Sequence, residues 1–169
     1  MKRWLLAFPL LLWPALGQAQ ELDIAVTVSS GSGMSLGKGE GTVLKQRSPV
    51  FIEADVGLIF DKDRLWEWTP SLILEVEGRV SVGINPSVKR VFHFSRVPIA
   101  IYGGIGVPFF FAPFTLLGAE AAVGAFYRFL PHLGVALELR TDVFFVGGDL
   151  PDGGVLAKLD AALGLRFTF

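Results

Sequence analysis

Charged side chains in this sequence recur two residues apart, on segments whose intervening positions are mostly apolar. Glu53 and Asp55 do so, as do Glu75, Glu77 and Arg79, then Glu138, Arg140 and Asp142, and finally Lys158 and Asp160. Glu120, Arg128 and Arg166 stand at the matching phase of their own segments. Side chains at i and i+2 of an extended chain point to the same side of a sheet, so each group puts its charges on one face. Carboxylates gathered there could share a proton for acid–base work or line a path for protons or ions. The same charges could instead pair and fill an interior. His93-Phe94-Ser95 places a base two positions from a hydroxyl, where it could activate a nucleophile. A lone histidine in a polar interior, hydrated and without a catalytic task, is the simpler reading of the same residues. Asp149 and Asp152, in the stretch Gly147 to Gly154, suggest a calcium loop, but two carboxylates fall well short of the roughly 6 to 8 oxygens that calcium takes. With no cysteine anywhere, thiolate metal sites, cysteine nucleophiles, disulfides and a lipoprotein anchor are excluded.

The elements that must position these residues are strands. Val155, Ala157, Leu159, Ala161, Leu163, Leu165, Phe167 and Phe169 are apolar, while the positions between them carry Lys158, Asp160, Ala162, Gly164, Arg166 and Thr168. Only Leu156 breaks the pattern. Strict alternation gives a strand with one greasy and one wet face. This stretch is far longer than the usual soluble strand of about 5 to 6 residues. It fits the roughly 9 to 11 residues that a tilted strand needs to cross hydrocarbon, plus its ends.

Read the same way, the sequence predicts strands at Glu21–Ser29, Ser48–Phe60, from Trp66 through Val82, Val88–Ser95, Val97–Phe109, Thr115–Phe129 and from Leu133 to Phe145. With the terminal strand they number eight. Asp61 to Arg64, Asn85-Pro86-Ser87 and Leu130 to His132 read as turns. Gly31 to Arg47, rich in Gly and Ser, reads as the longest loop. It holds no complete GxGxxG, so a phosphate cradle is not expected there. Val97 to Ala119 is uncharged and long enough for a membrane helix, but Pro98, Pro108 and Pro113, with Gly103, Gly104 and Gly106 and the β-branched Ile99, Ile101, Ile105 and Val107, oppose one. Two strands suit it better.

Lys2 and Arg3 followed by apolar Trp4 to Leu16 and the small residues of Gly17-Gln18-Ala19 form a secretory signal pattern, with cleavage expected after Ala19. Two domains are therefore drawn, a signal peptide at 1–19 and a barrel at 20–169. Removing nineteen residues from 169 leaves 150, enough for one domain. Without Lys2 and Arg3, thirteen basic side chains stand against sixteen acidic ones, a net of about minus 3 that does not invite nucleic acid. The chain is 51% apolar, high for a secreted soluble domain. A barrel in lipid accounts for this by turning its apolar side chains out and its polar ones in.

The ending Phe167-Thr168-Phe169 resembles the terminal strand of bacterial outer-membrane β-barrels, where a final Phe belongs to the assembly signal. In length, alternation and terminal Phe the mature chain is similar to the small OmpA-type and OmpX-type barrels. That resemblance implies an all-β, eight-stranded antiparallel up-and-down transmembrane β-barrel in the bacterial outer membrane. It implies contact with outer-membrane lipid and lipopolysaccharide, and insertion by the barrel assembly machinery through Phe167 and Phe169. No cofactor, metal or enzymatic activity is expected, and the state is a monomer. If the carboxy-terminus is periplasmic, Phe60, Trp66, Trp68, Tyr127, Phe129, Phe167 and Phe169 form one interfacial girdle and Phe109, Phe111, Phe114 and Phe145 the other.

On this register Glu53, Asp55, Glu75, Glu77, Arg79, Glu120, Arg128, Glu138, Arg140, Asp142, Lys158, Asp160 and Arg166 face inward, as a charge network that plugs the lumen. The leading reading is a structural or partner-binding barrel that acts through its external loops. A narrow channel is the second reading. The third is an enzyme, since His93-Phe94-Ser95 is similar to the His-x-Ser of outer-membrane lipid A deacylases, where a Glu orients the His. Arg96 stands where that family has Asn, and no acid follows until Glu120. A soluble lipocalin-like barrel, greasy side inward, is the structural alternative.

Overall fold

The computed structural model describes residues 23–39, 42–61, 63–148, 150 and 154–169. The signal segment, Glu21 and Leu22 of the first expected strand, and the candidate calcium ligands Asp149 and Asp152 lie outside the described residues. The strands are β1 (Asp23–Gly39), β2 (Thr42–Arg47), β3 (Phe51–Ile59), β4 (Trp66–Glu75), β5 (Ser81–His93), β6 (Ile99–Gly106), β7 (Phe109–Ala112), β8 (Leu116–Leu130), β9 (Leu133–Gly147) and β10 (Val155–Thr168). All pairings are antiparallel, and β10 closes the sheet on β1 from Ala25↔Thr168 to Lys38↔Val155. The result is a closed barrel of eight staves. β2 is the return arm of a hairpin that rises beyond the wall, and β7 continues the β6 stave past a break at Val107-Pro108.

Alternation places the side chains as expected of a strand in lipid. On β3 the odd-numbered residues Phe51 to Ile59 are buried inside, while Ile52, Ala54 and Val56 are exposed on the outer surface. On β10 Leu163 is 63% exposed and Asp160 is 3% exposed. The barrel is thus greasy outside and charged within, the reverse of a lipocalin. Both termini of the barrel, Asp23 and Phe169, lie at the end that carries the turns at 60–65, 94–98 and 131–132. Trp66, Trp68, Tyr127, Phe129 and Phe167 collect on the outer surface at this end, with Phe92 and Phe94 beside them. At the other end Phe111 and Phe145 are exposed, whereas Phe114 tucks against the interior.

Two expected boundaries move. Gly31 to Arg47 is no loop, because β1 runs on to Gly39 and β2 returns along it. A Cβ at Gly31 would lie 2.2 Å from the Ala161 carbonyl oxygen and one at Gly33 1.9 Å from that of Leu159. The glycines therefore mark close approach of β1 to β10, not slackness. Asn85-Pro86-Ser87 is not a turn either, for it lies inside β5 opposite Ser71, Pro70 and Thr69. Asn85 and Ser87 point into the lumen, which explains their polarity. The reversal occurs earlier, at Glu77-Gly78-Arg79, where Gly78 adopts a φ of 73° that a side chain would resist. Strand four accordingly spans Ser81–His93 in place of Val88–Ser95.

A cation on the lipid face of β10 should be costly and a charge removed from the lumen should not. Leu163→Arg is expected to destabilise the folded barrel by about 2 to 4 kcal/mol in lipid. Asp160→Asn, which keeps a hydrogen-bonding group beside Ser48, should cost less. Urea unfolding in lipid vesicles measures both, and the reverse ranking would contradict the assignment of faces.

Candidate functional site

The site is the lumen itself, since an eight-stranded barrel leaves an interior just wide enough for side chains to fill. At its middle Arg140, projected inward by β9, donates from Nη1 to Glu53 Oε2 at 2.5 Å. The same atom lies 4.0 Å from Glu120 Oε2, and Nε lies 3.8 Å from Asp142 Oδ2. The guanidinium sits 4.0 Å over the Phe51 ring. Ser71 donates to the other oxygen of Glu53 at 2.5 Å, and Asn85 Nδ2 donates to Glu120 at 2.8 Å. One cation from β9 thereby gathers carboxylates from β3 and β8 and from its own strand, across the barrel.

Toward the termini, Lys89 Nζ donates to Glu138 Oε2 at 3.1 Å, and the Tyr102 hydroxyl donates to the same oxygen at 2.5 Å. Tyr102 stacks on Phe126 at 4.6 Å between centroids. Asp55 lies beside this group. Lower still, Arg166 grips Glu67 with two parallel bonds of 3.0 and 2.8 Å, the two-pronged geometry that guanidinium and carboxylate share. Toward the other end, Lys158 pairs with Glu75, which also accepts from Ser81 at 2.5 Å, and Asp160 accepts from Ser48. Lys158 lies 5.2 and 5.4 Å from the centroids of Phe110 and Phe144.

Apolar clusters lie to either side of the Arg140 group. Phe51, Ile73, Phe110, Leu116 and Phe144 pack inside the half away from the termini, and Val91, Ala100 and Tyr102, with Phe126 against them, inside the other. A cavity of about 10 Å³ touches Asp55, Lys89 and Glu138, room for a single water. A larger one, about 220 Å³, opens at the terminal mouth and is floored by the Arg166–Glu67 pair.

Of the charges expected inside, Glu53, Asp55, Glu75, Glu120, Glu138, Arg140, Asp142, Lys158, Asp160 and Arg166 face the lumen. Glu77 and Arg79 do not, and Arg128 reaches only the terminal mouth. Because β4 ends at Glu75, Glu77 falls in the reversal and pairs with Arg47 of β2 at 3.3 Å. Arg79, in the same reversal, lies 5.3 Å over Phe114. Arg128 is exposed at the terminal mouth, where β8 runs past the packed interior. Glu67 and Lys89 complete the interior but are absent from the charges expected there. Glu67 lies between two tryptophans and Lys89 is followed by Arg90, so the alternation that marks the other sites is blurred at both.

Ser95 does not enter the lumen, and His93 stands only at the wall of the terminal-mouth cavity. His93 is exposed at the strand end, its Nε2 3.0 Å from the Arg64 carbonyl oxygen, and Ser95 lies in the turn that follows. Among the described residues no carboxylate holds His93. Phe167 and Phe169 face outward at the terminal rim, and the Phe169 amide donates to Ile24 at 2.8 Å.

No family model matches the sequence, and no curated protein matches it. Solved structures do match the fold. Neisserial surface protein A aligns with a TM-score of 0.64 at 13% identity, over 86% of this chain and 97% of that one. The N-terminal β-barrel domain of Pseudomonas aeruginosa OprF aligns with 0.56 at 12% identity, over 86% and 97%. Ail, the attachment invasion locus protein of Yersinia pestis, aligns with 0.53 at 12% identity, over 89% and 100%. The fold is that of the small eight-stranded outer-membrane β-barrels.

Removing one member of a buried ion cluster leaves its partners uncompensated, at a cost of about 3 to 5 kcal/mol. Arg140→Met should therefore destabilise the barrel by that order in vesicle unfolding. Adding Glu53→Gln and Glu120→Gln to Arg140→Met should restore part of the loss. A triple variant weaker than the single one would show that Arg140 does not hold these carboxylates.

Proposed function

We propose that this protein is a non-enzymatic barrel of the bacterial outer membrane whose lumen is sealed. It stabilises the envelope or binds a partner through what it presents outside the cell. In this reading the segment 1–19 is a signal peptide, the barrel assembly machinery reads Phe167 and Phe169, and the folded protein is a monomer among lipid and lipopolysaccharide. The observation that carries the sealed lumen is the cluster of Arg140 with Glu53, Glu120 and Asp142, with apolar clusters to either side. A hydrated ion needs a continuous wet path, and the cavity of about 10 Å³ beside Asp55, Lys89 and Glu138 is too small to form part of one.

Placing the termini in the periplasm puts the β1–β2 hairpin outside. Met34, Leu36 and Val43 are exposed on one face of it, with Lys38, Lys45 and Arg47 among them. Greasy and basic side chains on one surface suit contact with the anionic, acylated outer leaflet or with an acidic partner. Against a His93/Ser95 enzyme stands the Arg64 carbonyl, which orients a histidine without activating it as a carboxylate would.

Two measurements test the proposal. Reconstituted in planar bilayers, the protein should give no reproducible stepwise conductance, and regular steps would overturn the sealed lumen. Mass spectra of lipid A from cells with and without the protein should be the same, and a changed acyl pattern would overturn the non-enzymatic reading.

A further inference from the structure

Most outward positions of the wall are apolar, but Arg90 on β5 stands among them. Its side chain is exposed, with the guanidinium 5.5 Å from the Trp66 centroid and 5.2 Å from that of Phe92. Among the described residues no carboxylate pairs with it. Trp66 is its direct partner on β4, so Arg90 stands level with the aromatic girdle, where a cation on the outer surface costs little. Its direct partner on the other side is Gly103 of β6. A Cβ built at Gly103 would meet nothing within 4 Å, so the wall has a notch there. Ile101, Ile105 and Val123, all exposed, border the notch.

These features are independent of one another and meet at one place. A guanidinium resting against two rings has lost some of its freedom before any ligand arrives, which lowers the cost of binding an anion. Its remaining N–H groups suit the two oxygens of a phosphate. The notch beside it is shaped for a chain that lies along the wall and lined to be covered by hydrocarbon. We propose that Arg90 and the Gly103 notch bind one phospholipid of the periplasmic leaflet, the phosphate on Arg90 and the start of an acyl chain over Gly103. The inference rests on the same membrane orientation as the proposed function and adds a specific lipid site to it.

The test is retention of lipid by the intact barrel. Wild type, Arg90→Gln and Gly103→Val are reconstituted in nanodiscs containing phosphatidylglycerol and diacylglycerol with the same chains, then released and weighed by native mass spectrometry. Wild type should keep one phosphatidylglycerol in preference to diacylglycerol. Arg90→Gln should lower that retention about tenfold, the factor that loss of one charge-assisted contact of about 1.4 kcal/mol gives. Gly103→Val fills the notch without touching the cation, and a valine suits a strand, so it should fold normally and retain less lipid. Equal retention of the two lipids, or unchanged retention in both variants, would overturn the site. So would a dimer in the spectra that vanishes with Arg90→Gln, which would assign Arg90 to a second copy of the chain. Failure of the wild type to insert would instead sink the membrane reading itself, and heat-dependent gel mobility separates that outcome from the others.

Discussion

Lipid offers no hydrogen-bond partner, and from that single constraint most of this structure follows. Every backbone N–H and C=O within the bilayer has to be met by another strand, so a sheet that crosses must close. Here closure is the β1–β10 seam, fourteen residue pairs from Ala25↔Thr168 to Lys38↔Val155. The seam joins the first described strand to the last, so the ladder is completed only by bringing together the two ends of the barrel sequence. That long-range closure is why the terminal strand alternates so strictly. Each of its residues has a lipid side or a lumen side, and no position is spared by a loop.

Closure with eight strands sets the second condition, an interior narrow enough for side chains to fill most of it. Charges inside must then satisfy one another. Arg140 meets three carboxylates, Arg166 takes both oxygens of Glu67, and Lys89 shares Glu138 with Tyr102. Rings supply the rest of the packing, and the cations lie against them: Arg140 on Phe51, Arg166 on Phe126 and Lys89 4.9 Å over Tyr102. The interior is therefore mixed and not an oily core. It is layered, with aromatic side chains filling the volume that the ion pairs leave.

Legibility in the sequence followed the same division. The faces of β3, β8, β9 and β10 could be read directly, because lipid on one side and paired charge on the other enforce period-two alternation. Where composition was ambiguous the reading failed for identifiable reasons. Gly31 and Gly33 look like loop residues, yet they let β1 lie against Ala161 and Leu159. Asn85 and Ser87 look like a turn, yet they are lumen groups, and Asn85 holds Glu120. Placing the turn there carried Glu77 and Arg79 into the lumen, although the chain had already reversed at Gly78. Glu67 escaped notice because a carboxylate between two tryptophans belongs to a girdle by composition and to the lumen by parity. Arg90 was hidden in the opposite way, since a cation beside Lys89 gives no sign of which one faces lipid.

The paired interior also fixes register. A slip of one residue along any seam would turn a whole strand over. For β9 it would send Arg140 into the hydrocarbon, where an arginine near the midplane costs about 2 to 4 kcal/mol, and would bring Leu139 inside against Glu53 and Glu120. The carboxylates left without Arg140 would add their own penalty of several kcal/mol. Hydrophobic matching alone could not be so selective, because neighbouring outward residues such as Leu137, Leu139 and Val143 are nearly interchangeable in lipid. A two-residue slip would keep every face correct and every greasy residue outside. It would still pull Arg140 away from Glu53 and Arg166 away from Glu67, so the ion pairs discriminate where the lipid belt does not. The ion pairs inside this barrel are thus suited to favour one register among those that the lipid belt alone would accept.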